Sequence, residues 1–478
     1  MSMTQSLNMN HANASGRPKL AERGRTIPLI VFAALLILTL LTPVPYGTVE
    51  RWWDSAFEVS IFLLAGIALF DAVASQNLLT LEHLRLLAPL VALTIFALIQ
   101  IVPLWPQTTP LGAIHQPISS DPYETKLLAI KFLALTCLLA MLLRYTNSSR
   151  RLRLLVHTVI VIALASAIFG IVRQLYQYNS EGFLLPALKK GSGYAQFINK
   201  NHFAFLAEMA FGLLAGLVGG GGIAWPRPLI YFALALPIWT GAVLSNSRGG
   251  ILAMTSQIVF FALMLNVRPA QPDHEPNAPQ TTARRAAGLI LKLALTAALV
   301  VGIVIGMVLL GGQPLSDRLS VTREELSSQP DERTHADRAS IWKATLRLAY
   351  DHPLTGVGFG GYWIAITRYH DGSGELVPQQ AHNDYLELLA SGGLVGVALF
   401  VWFVIVIVRQ SGRQLRSRDR FRRAVALGAL TGLFGVAVHS LVDFGLHLTG
   451  NAIICLALVT LATRQIETAS SSVDRART

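Results

Sequence analysis

Charged residues are scarce in this chain. Only 14% of its 478 residues are Asp, Glu, Lys or Arg, whereas 53% are apolar. Together with a mean hydropathy of +0.50, this composition excludes an ordinary soluble protein. Cysteine is nearly absent as well, and Cys137 and Cys455 both fall in apolar runs, where a thiol behaves as a small hydrophobic side chain. We therefore expect neither a disulfide nor a redox pair.

Long uncharged runs take the place of the missing charges. Runs of roughly 17–21 apolar residues recur, the length that crosses a hydrocarbon core about 30 Å thick. We predict an all-α polytopic membrane protein with about 12 transmembrane helices. The predicted spans are 27–44, 56–74, 86–104, 127–143, 154–172, 203–222, 229–246, 251–266, 287–311, 393–408, 424–442 and 448–463. The chain then divides into a disordered cytoplasmic tail (1–26), helices one to nine (27–311), one large periplasmic loop (312–392), helices ten to twelve (393–463) and a second cytoplasmic tail (464–478).

Basic residues predict the orientation of these spans. Short loops on the side of the N-terminus carry about 23 Lys and Arg, against about 7 on the other side. The heaviest contributions come from 17–25, 144–153 and 409–423. Both termini are therefore predicted to be cytoplasmic, and the net charge of +12 is explained by this role. Nucleic acid is not expected as a partner, because no basic face is predicted outside the membrane.

Polar residues collect on the opposite, non-cytoplasmic side. They lie near 191–202, in the turn 245–250 and in the long loop from about Gln313 onward, which is far longer than most connections. Within that loop, 337–351 has the apolar spacing of a helix. With Trp342 and Arg338 it can lie on the membrane surface or pack only on its own loop domain, and both interpretations stay open. The glycines of 356–361 match the G-x-G-x-x-G pattern but follow no predicted strand, so a tight turn with close backbone approach is favoured over a dinucleotide site.

Two ionisable residues stand directly at membrane boundaries. His382 precedes an apolar span, and Arg248 begins one. On chemistry alone, a solvated residue at a helix end is the favoured interpretation of His382. For Arg248, the cost of burying a charge without an anionic partner favours a functional role, and an arginine that snorkels to the interface is the alternative.

Several sequence blocks are similar to the O-antigen ligase and O-antigen polymerase superfamily of bacterial polytopic membrane glycosyltransferases. The similarity covers roughly residues 190–445, and its specificity comes from the order and spacing of the blocks. The blocks are FINKNHF at 197–203, SRGG at 247–250, HPLTGVGFG at 352–360, HNDYL at 382–386 with GGLVG at 392–396, and HSLVDF at 439–444.

The resemblance implies glycan transfer from an undecaprenyl-diphosphate carrier to an acceptor hydroxyl on the periplasmic face of the inner membrane. Neither a metal nor a cofactor is expected, and the sequence has no D-x-D pair, no Walker-type phosphate loop and no His/Cys cluster at metal-ligand spacing. The expected partners are this donor, a lipid A-core or a growing glycan as acceptor, and membrane lipids.

An O-antigen ligase that acts on lipid A-core is the leading interpretation. A polymerase of O-antigen or exopolysaccharide repeat units and a protein O-oligosaccharyltransferase remain alternatives, because the acceptor cannot be read from the sequence. A polysaccharide or lipid transporter, such as a flippase, is the alternative from another class. Transporters place their sites near the bilayer midplane, whereas the polar clusters here gather at one face.

The resemblance also implies roles for individual residues. His382 would activate the acceptor hydroxyl as a base, and Arg248 would bind the departing diphosphate through its guanidinium group. Arg338 and Lys200 are further candidates for diphosphate binding, with Arg323, Arg333 and Arg347 as rivals of Arg338. The expected supporting residues are Asn199, Asn201, His202, Glu208, Asn383, Asp384 and Asp443.

Overall fold

Helices dominate the computed structural model, which describes residues 18–76, 78–109, 112–176, 185, 188, 193–265, 338–370 and 378–465. In a lipid bilayer a helix satisfies its own backbone hydrogen bonds, so uncharged runs of sufficient length fold as helices. The predicted all-α class is confirmed.

In the described ranges, eight helices are long and apolar enough to cross a membrane. They are α2 (Arg51–Ser75), α3 (Leu81–Gln100), α4 (Pro122–Tyr145), α5 (Ser149–Tyr176), α6 (Lys200–Gly219), α7 (Arg227–Leu244), α11 (Asp384–Leu415) and α12 (Arg420–His439). Three helices with shorter apolar parts match further predicted spans, namely α1 (Pro18–Leu41), α8 (Arg248–Met264) and α13 (Thr449–Thr463). The predicted span 287–311 lies outside the described residues, so the total of about 12 spans stays a prediction.

Two helices begin inside the stretches that the sequence predicted as the N-terminal tail and the large loop. Helix α1 starts at Pro18, inside the stretch expected to be a disordered tail. Proline is favoured in the first turn of a helix, and the residues that follow it are mostly good helix formers. Helix α11 starts at Asp384, inside the expected loop, because the Asn383 side chain caps it. The parts of both predicted tails at 1–17 and 466–478 lie outside the described residues.

A short β-hairpin follows α3, where the sequence predicted no element. Strands β1 (Trp105–Thr109) and β2 (Gly112–Gln116) pair antiparallel, with Trp105 opposite Gln116. Because β1 contains Pro106, which strands tolerate only at edges, the segment lacks a clear strand signal. The hairpin joins α3 to α4 without changing the helical class.

Close contact between α6 and α12 forms the centre of the bundle. A methyl group on Gly212 would lie 2.3 Å from the Gly432 backbone nitrogen, and one on Gly216 would lie 2.5 Å from the Gly428 Cα atom. Small residues at such positions let two helix backbones approach closely, which is a common way of packing helices in membranes. The two helices are thereby held in a fixed register, and each carries residues of the site described below.

The described part of the long loop has a small apolar core of its own. Helix α9 (Arg338–Asp351) matches the predicted helix 337–351, whose first residue, Asp337, lies outside the described residues. Leu348 of α9 is fully buried against a cluster that includes Tyr362. This cluster continues into α10 (Tyr362–Ala365) and a 3₁₀ turn (Ile366–Arg368). The packing supports the interpretation that α9 packs on its own loop domain.

The glycine-rich turn after α9 fastens the loop to α11. Its backbone N–H groups at Val357 and Gly358 donate hydrogen bonds of 3.0 Å to the carbonyls of Ala390 and Ser391. A methyl group on Gly356 would lie 2.3 Å from the Ser391 carbonyl carbon. The predicted close backbone approach is confirmed. The turn follows a helix and not a strand, which excludes a dinucleotide-binding unit here.

Candidate active site

Asp443, in the turn after α12, is the centre of a polar cluster at one end of the bundle. Its side chain is 1% exposed. The Asn201 amide donates a hydrogen bond to Oδ2, and the Phe444 N–H donates one of 2.9 Å to Oδ1. The Arg338 guanidinium lies 3.6 Å from Oδ2, and the His382 Nδ1 atom lies 3.8 Å from Oδ1. Segments distant in the sequence therefore meet at one carboxylate.

The surroundings of Asp443 keep it ionised. Burial alone would raise the pKa of its carboxyl, because the charged form loses contact with water. The adjacent His382 imidazole and the Phe444 N–H oppose this effect, and Arg338 and His202 contribute further in the same direction. The net result lowers the pKa of Asp443 to about 2. The cluster thus offers a permanent negative charge to a neighbouring imidazole.

His382 is held in a constrained backbone conformation. Its φ angle is 50°, in the left-handed region that few non-glycine residues adopt. The preceding residue, Ala381, is fixed at both of its backbone polar groups. Its N–H donates a hydrogen bond of 2.8 Å to Glu387, and its carbonyl accepts one of 2.9 Å from Trp342 Nε1. With 34% of its side chain exposed, His382 can still meet a substrate. Such enforced conformations cluster at functional sites.

The Phe444 ring is surrounded by three imidazoles. The ring centroids of His202, His382 and His447 lie 5.2, 4.9 and 6.0 Å from that of Phe444, each in an edge-to-face arrangement. His202 is buried, and its Nε2 atom has no hydrogen-bond partner among the described residues. Phe444 therefore spaces the histidines apart while keeping them at the same end of the bundle.

Two predicted asparagines serve as helix caps. The Asn199 side chain accepts a hydrogen bond of 2.9 Å from the Asn201 N–H at the start of α6. The Asn383 side chain accepts two of 3.0 Å, from the N–H groups of Tyr385 and Leu386, at the start of α11. These contacts satisfy backbone donors that a helix start leaves unpaired. Asn199 and Asn383 thus orient the helices that present Asn201 and His382.

Asp384 ties the start of α11 to the segment after α12. Its Oδ2 atom accepts a hydrogen bond of 2.7 Å from the Ser440 hydroxyl, and its N–H donates one of 2.9 Å to the Ser440 carbonyl. Its Oδ1 atom lies 3.4 Å from His447 Nε2. Asp384 therefore helps to hold His382 beside Asp443.

Lys131 and Asp54 extend the polar network, and neither residue was predicted from the sequence. The Lys131 ammonium donates hydrogen bonds of 3.1 Å to Asp54 and 3.0 Å to the His447 carbonyl. Lys131 lies within the predicted span 127–143, and an ionisable residue inside a span indicates a functional or paired group. That signal could have found it from the sequence.

Arg248 begins α8 at the same end, and its side chain is exposed. The cost of burying an arginine, which supported a functional role from the sequence, therefore does not apply to it. The position of Arg248 in the fold supports a functional role instead. A methyl group on Gly249 would lie 3.0 Å from a Val442 side-chain carbon, so the start of α8 packs against the segment that leads to Asp443.

Glu208 forms a buried pair with a histidine. Its Oε2 atom lies 3.0 Å from His439 Nδ1, and both side chains are 0% exposed. A carboxylate one or two turns inside a membrane span is expected to be paired, and an arginine of the site is the partner that the sequence suggests. The structure gives His439 instead.

The remaining predicted cations differ in position. Lys200 is the first residue of α6, beside Asn201. Arg347 lines a groove on another face of α9, with Lys343 and Tyr369, and so does not belong to the Asp443 cluster. Arg323 and Arg333 lie outside the described residues. Within the described chain, no three His, Cys, Asp or Glu side chains are grouped so as to hold a metal ion.

Comparison with known proteins gives a match to a protein family. A family model described as O-antigen ligase matches residues 232–401, which include Arg248, Arg338 and His382. Asn201, Glu208 and Asp443 lie outside the matched range. No curated protein matches the chain.

Proposed function

Because this chain belongs to the O-antigen ligase and polymerase superfamily, we propose that it transfers a glycan from an undecaprenyl-diphosphate carrier to an acceptor hydroxyl at the periplasmic face of the bacterial inner membrane. The specific reaction that we propose is the ligation of O-antigen to lipid A-core. The match to an O-antigen ligase model over the segment with Arg248, Arg338 and His382 supports a glycosyltransferase of this superfamily, within which ligation is our proposal.

The observation that carries the proposal is the meeting of an imidazole and a guanidinium at one ionised carboxylate. Glycosyl transfer from a diphosphate needs a group that accepts a proton and a group that stabilises negative charge on the leaving phosphate. His382 and Arg338 supply these two groups, 3.8 and 3.6 Å from the Asp443 oxygens.

The proposed reaction is a single displacement. The acceptor oxygen forms a bond to the anomeric carbon of the donor glycan, while the bond from that carbon to the diphosphate oxygen breaks. The electron pair of the broken bond leaves with the undecaprenyl diphosphate. His382 takes the proton of the acceptor hydroxyl, and the ionised Asp443 stabilises the imidazolium that results.

Arginine is suited to the developing charge on the diphosphate. Its planar guanidinium group can donate two hydrogen bonds to phosphate oxygens at once. Arg338 is 44% exposed and so can turn towards an incoming diphosphate while staying near Asp443. Arg248, exposed at the start of α8, is the second proposed phosphate ligand, and Lys200 is a third.

A complementation experiment tests the proposal. A strain that lacks this chain is supplied with the wild type, His382→Ala or His370→Ala, and equal membrane levels are confirmed. His370 lies in the same loop but outside the Asp443 cluster, so it serves as the matched control. We expect the wild type and His370→Ala to restore long glycan on lipid A-core, and His382→Ala to fail. Equal restoration by all three would contradict the role of His382.

The same experiment separates the alternative acceptors. A lipid A-core that carries a single repeat unit without this chain would show that the chain is a polymerase. If the strain without this chain has normal lipopolysaccharide but lacks glycan on its proteins, the chain is a protein O-oligosaccharyltransferase. Lipid-linked glycan trapped on the cytoplasmic side would favour a flippase.

A further inference from the structure

The buried Glu208–His439 pair lies where ionisable groups are costly. Both side chains are inaccessible to solvent, within helices long enough to cross a membrane. The imidazole of His439 stacks on the Phe205 ring, with the centroids 4.0 Å apart and the planes at 10°. Together the carboxylate and the phenyl ring fix the position and the plane of this imidazole.

The pair is not fully satisfied as a polar contact. Neither Glu208 Oε1 nor His439 Nε2 has a hydrogen-bond partner among the described residues. Two apolar side chains of similar volume would fill the same space without this desolvation cost. Stabilisation of the fold therefore does not explain why two ionisable residues are buried at this position. The geometry that the pair imposes on its neighbours explains their presence better.

The start of α8 rests directly on the edge of this imidazole. A methyl group on Gly249 would lie 2.5 Å from both the Cδ2 and the Nε2 atoms of His439. Only glycine permits this approach, since real Cβ atoms do not come so close to a neighbour. Gly249 immediately follows Arg248, so the imidazole determines where the Arg248 backbone lies.

A second contact fixes α8 about two turns further along. The Gln257 side chain donates a hydrogen bond of 3.0 Å to the backbone carbonyl of Glu208. A methyl group on Gly435 would lie 2.1 Å from the same Gln257 amide. The Ser247 hydroxyl also caps the start of α8, where it accepts a hydrogen bond of 3.1 Å from the Gly250 N–H. Helix α8 is thus held against α6 and α12 at two levels.

We infer that Glu208 and His439 are positioning residues for Arg248. They act through the Gly249 backbone, which they hold at a fixed place at the start of α8, and so they direct the Arg248 guanidinium towards the donor diphosphate. Neither touches the substrate, because both are fully buried. The inference rests on the proposed function, in which Arg248 binds the diphosphate.

The test uses the full chain in lipid nanodiscs, with two measurements. One is the affinity for undecaprenyl diphosphate, the part of the donor that Arg248 would bind, and the other is kcat/KM for the lipid-linked glycan. The substitution Gly249→Ala displaces the start of α8 from His439. A misplacement of about 1 Å can lower a rate by about 100-fold, so we expect a loss of kcat/KM approaching that size and a weaker affinity for the probe.

Gly66→Ala is the matched control. Gly66 also lies in a helix, but a methyl group there would have no atom within 4 Å. We expect this variant to bind the probe and to transfer glycan as the wild type does. Thermal unfolding of both variants shows whether a loss arises from unfolded protein.

A double substitution distinguishes positioning from general destabilisation. His439→Ala removes the imidazole that Gly249→Ala would strike, so the double variant should be no worse in probe affinity than His439→Ala alone. Additive losses would overturn the inference. If His439→Ala does not fold, Glu208→Gln replaces it, because it keeps the size of the side chain and removes only the charge that orients His439. A loss of probe affinity with unchanged thermal unfolding is then expected.

Arg248→Ala separates the inference from the proposed function. If Arg248→Ala binds undecaprenyl diphosphate as the wild type does, both the phosphate-binding role and the inference fail. If Arg248→Ala loses the probe while Gly249→Ala and Glu208→Gln keep it, the proposed function stands and the positioning role fails.

Discussion

At the scale of single residues, Asp443 is a carboxylate shared between a guanidinium and an imidazole. Arg338 lies 3.6 Å from it, too far for a strong hydrogen bond, and His382 lies 3.8 Å away. A diphosphate bound nearby would draw Arg338 towards itself. Asp443 would then be left to stabilise His382 when that residue takes up a proton. Binding of the donor and activation of the acceptor are in this way coupled through one anion.

Asp443→Asn tests this coupling. The substitution keeps the shape of the side chain but removes the charge that would stabilise an imidazolium. Proton transfer by a positioned group contributes about 100- to 10,000-fold to a rate, so we expect kcat to fall by about 100-fold or more. The measurement is glycan transfer by purified protein from a lipid-linked donor.

Asp419→Asn is the control for that experiment. Asp419 caps α12 at the opposite end, where its side chain accepts from the Phe421 and Arg422 N–H groups. Asparagine is an equally good cap, so activity should be retained. Equal activity of Asp443→Asn and Asp419→Asn would show that the charge of Asp443 has no part in the reaction.

The lowered pKa of Asp443 predicts how stability depends on pH. Its pKa falls from an ordinary 3.8 to about 2 in the folded protein. The carboxylate therefore stabilises the fold at every pH above about 3.8, by about 2 kcal/mol, and this stabilisation is lost as the pH falls through about 2. We expect the difference in Tm between the wild type and Asp443→Asn to narrow as the pH falls below about 4. A difference that stays constant from about pH 5 down to about pH 2 would contradict the assignment.

At the scale of elements, the junction of the loop with α11 places His382. Helix α11 is interrupted at Gly393, whose φ angle is 58°. The N–H groups of Leu394 and Val395 then donate to the carbonyls of Pro353 and Leu354, at 2.8 and 3.1 Å. The first part of α11 and the loop are thereby fastened together. The segment that carries His382 is consequently part of the loop domain as much as of the span.

Gly393→Ala should break this junction. With φ 58° and ψ −161°, Gly393 lies in a region that essentially only glycine adopts, where an L-residue costs about 1–3 kcal/mol. The new methyl group would also lie 2.3 Å from the Leu354 carbonyl oxygen. We expect both a lower Tm and a loss of glycan transfer. Gly412→Ala, further along the same helix, would meet no atom within 4 Å, and its Tm should stay unchanged or rise slightly. If both variants behave alike, the break at Gly393 has no role in positioning His382.

At the scale of the whole molecule, periodicity and charge were enough to predict the helices but not their contacts. The lengths of the uncharged apolar runs were enough to predict the membrane-spanning helices, because lipid permits few other backbone structures. His382, Arg338 and Asp443 could be proposed from sequence blocks and local chemistry. The pairing of Glu208 with His439 could not be predicted from the sequence, because it depends on how closely α6 and α12 approach each other. The role of Trp342 could not be predicted either, because its hydrogen bond to Ala381 depends on tertiary packing.

The two ends of the bundle differ in charge. From its break at Gly393 to its last residue, Leu415, helix α11 rises by roughly 30 Å, at about 1.5 Å per residue. His382 lies before its first residue, and the basic run 409–423 surrounds its last. A second basic loop lies at that same end, since Arg153 of α5 stacks over the Phe421 ring. By the positive-inside rule, the basic end should face the cytoplasm and the Asp443 cluster the periplasm.

Site-directed labelling checks this orientation. The chain has only two cysteines, so a variant with Cys137→Ala and Cys455→Ala can accept single reporter cysteines. Thr367→Cys is exposed in the loop domain, and Asn147→Cys is exposed between α4 and α5 at the basic end. In intact spheroplasts, a membrane-impermeant maleimide should label Thr367→Cys and reach Asn147→Cys only after permeabilisation. The reverse pattern would place the Asp443 cluster in the cytoplasm, where no acceptor on the outer leaflet could reach His382, and would exclude transfer at the periplasmic face.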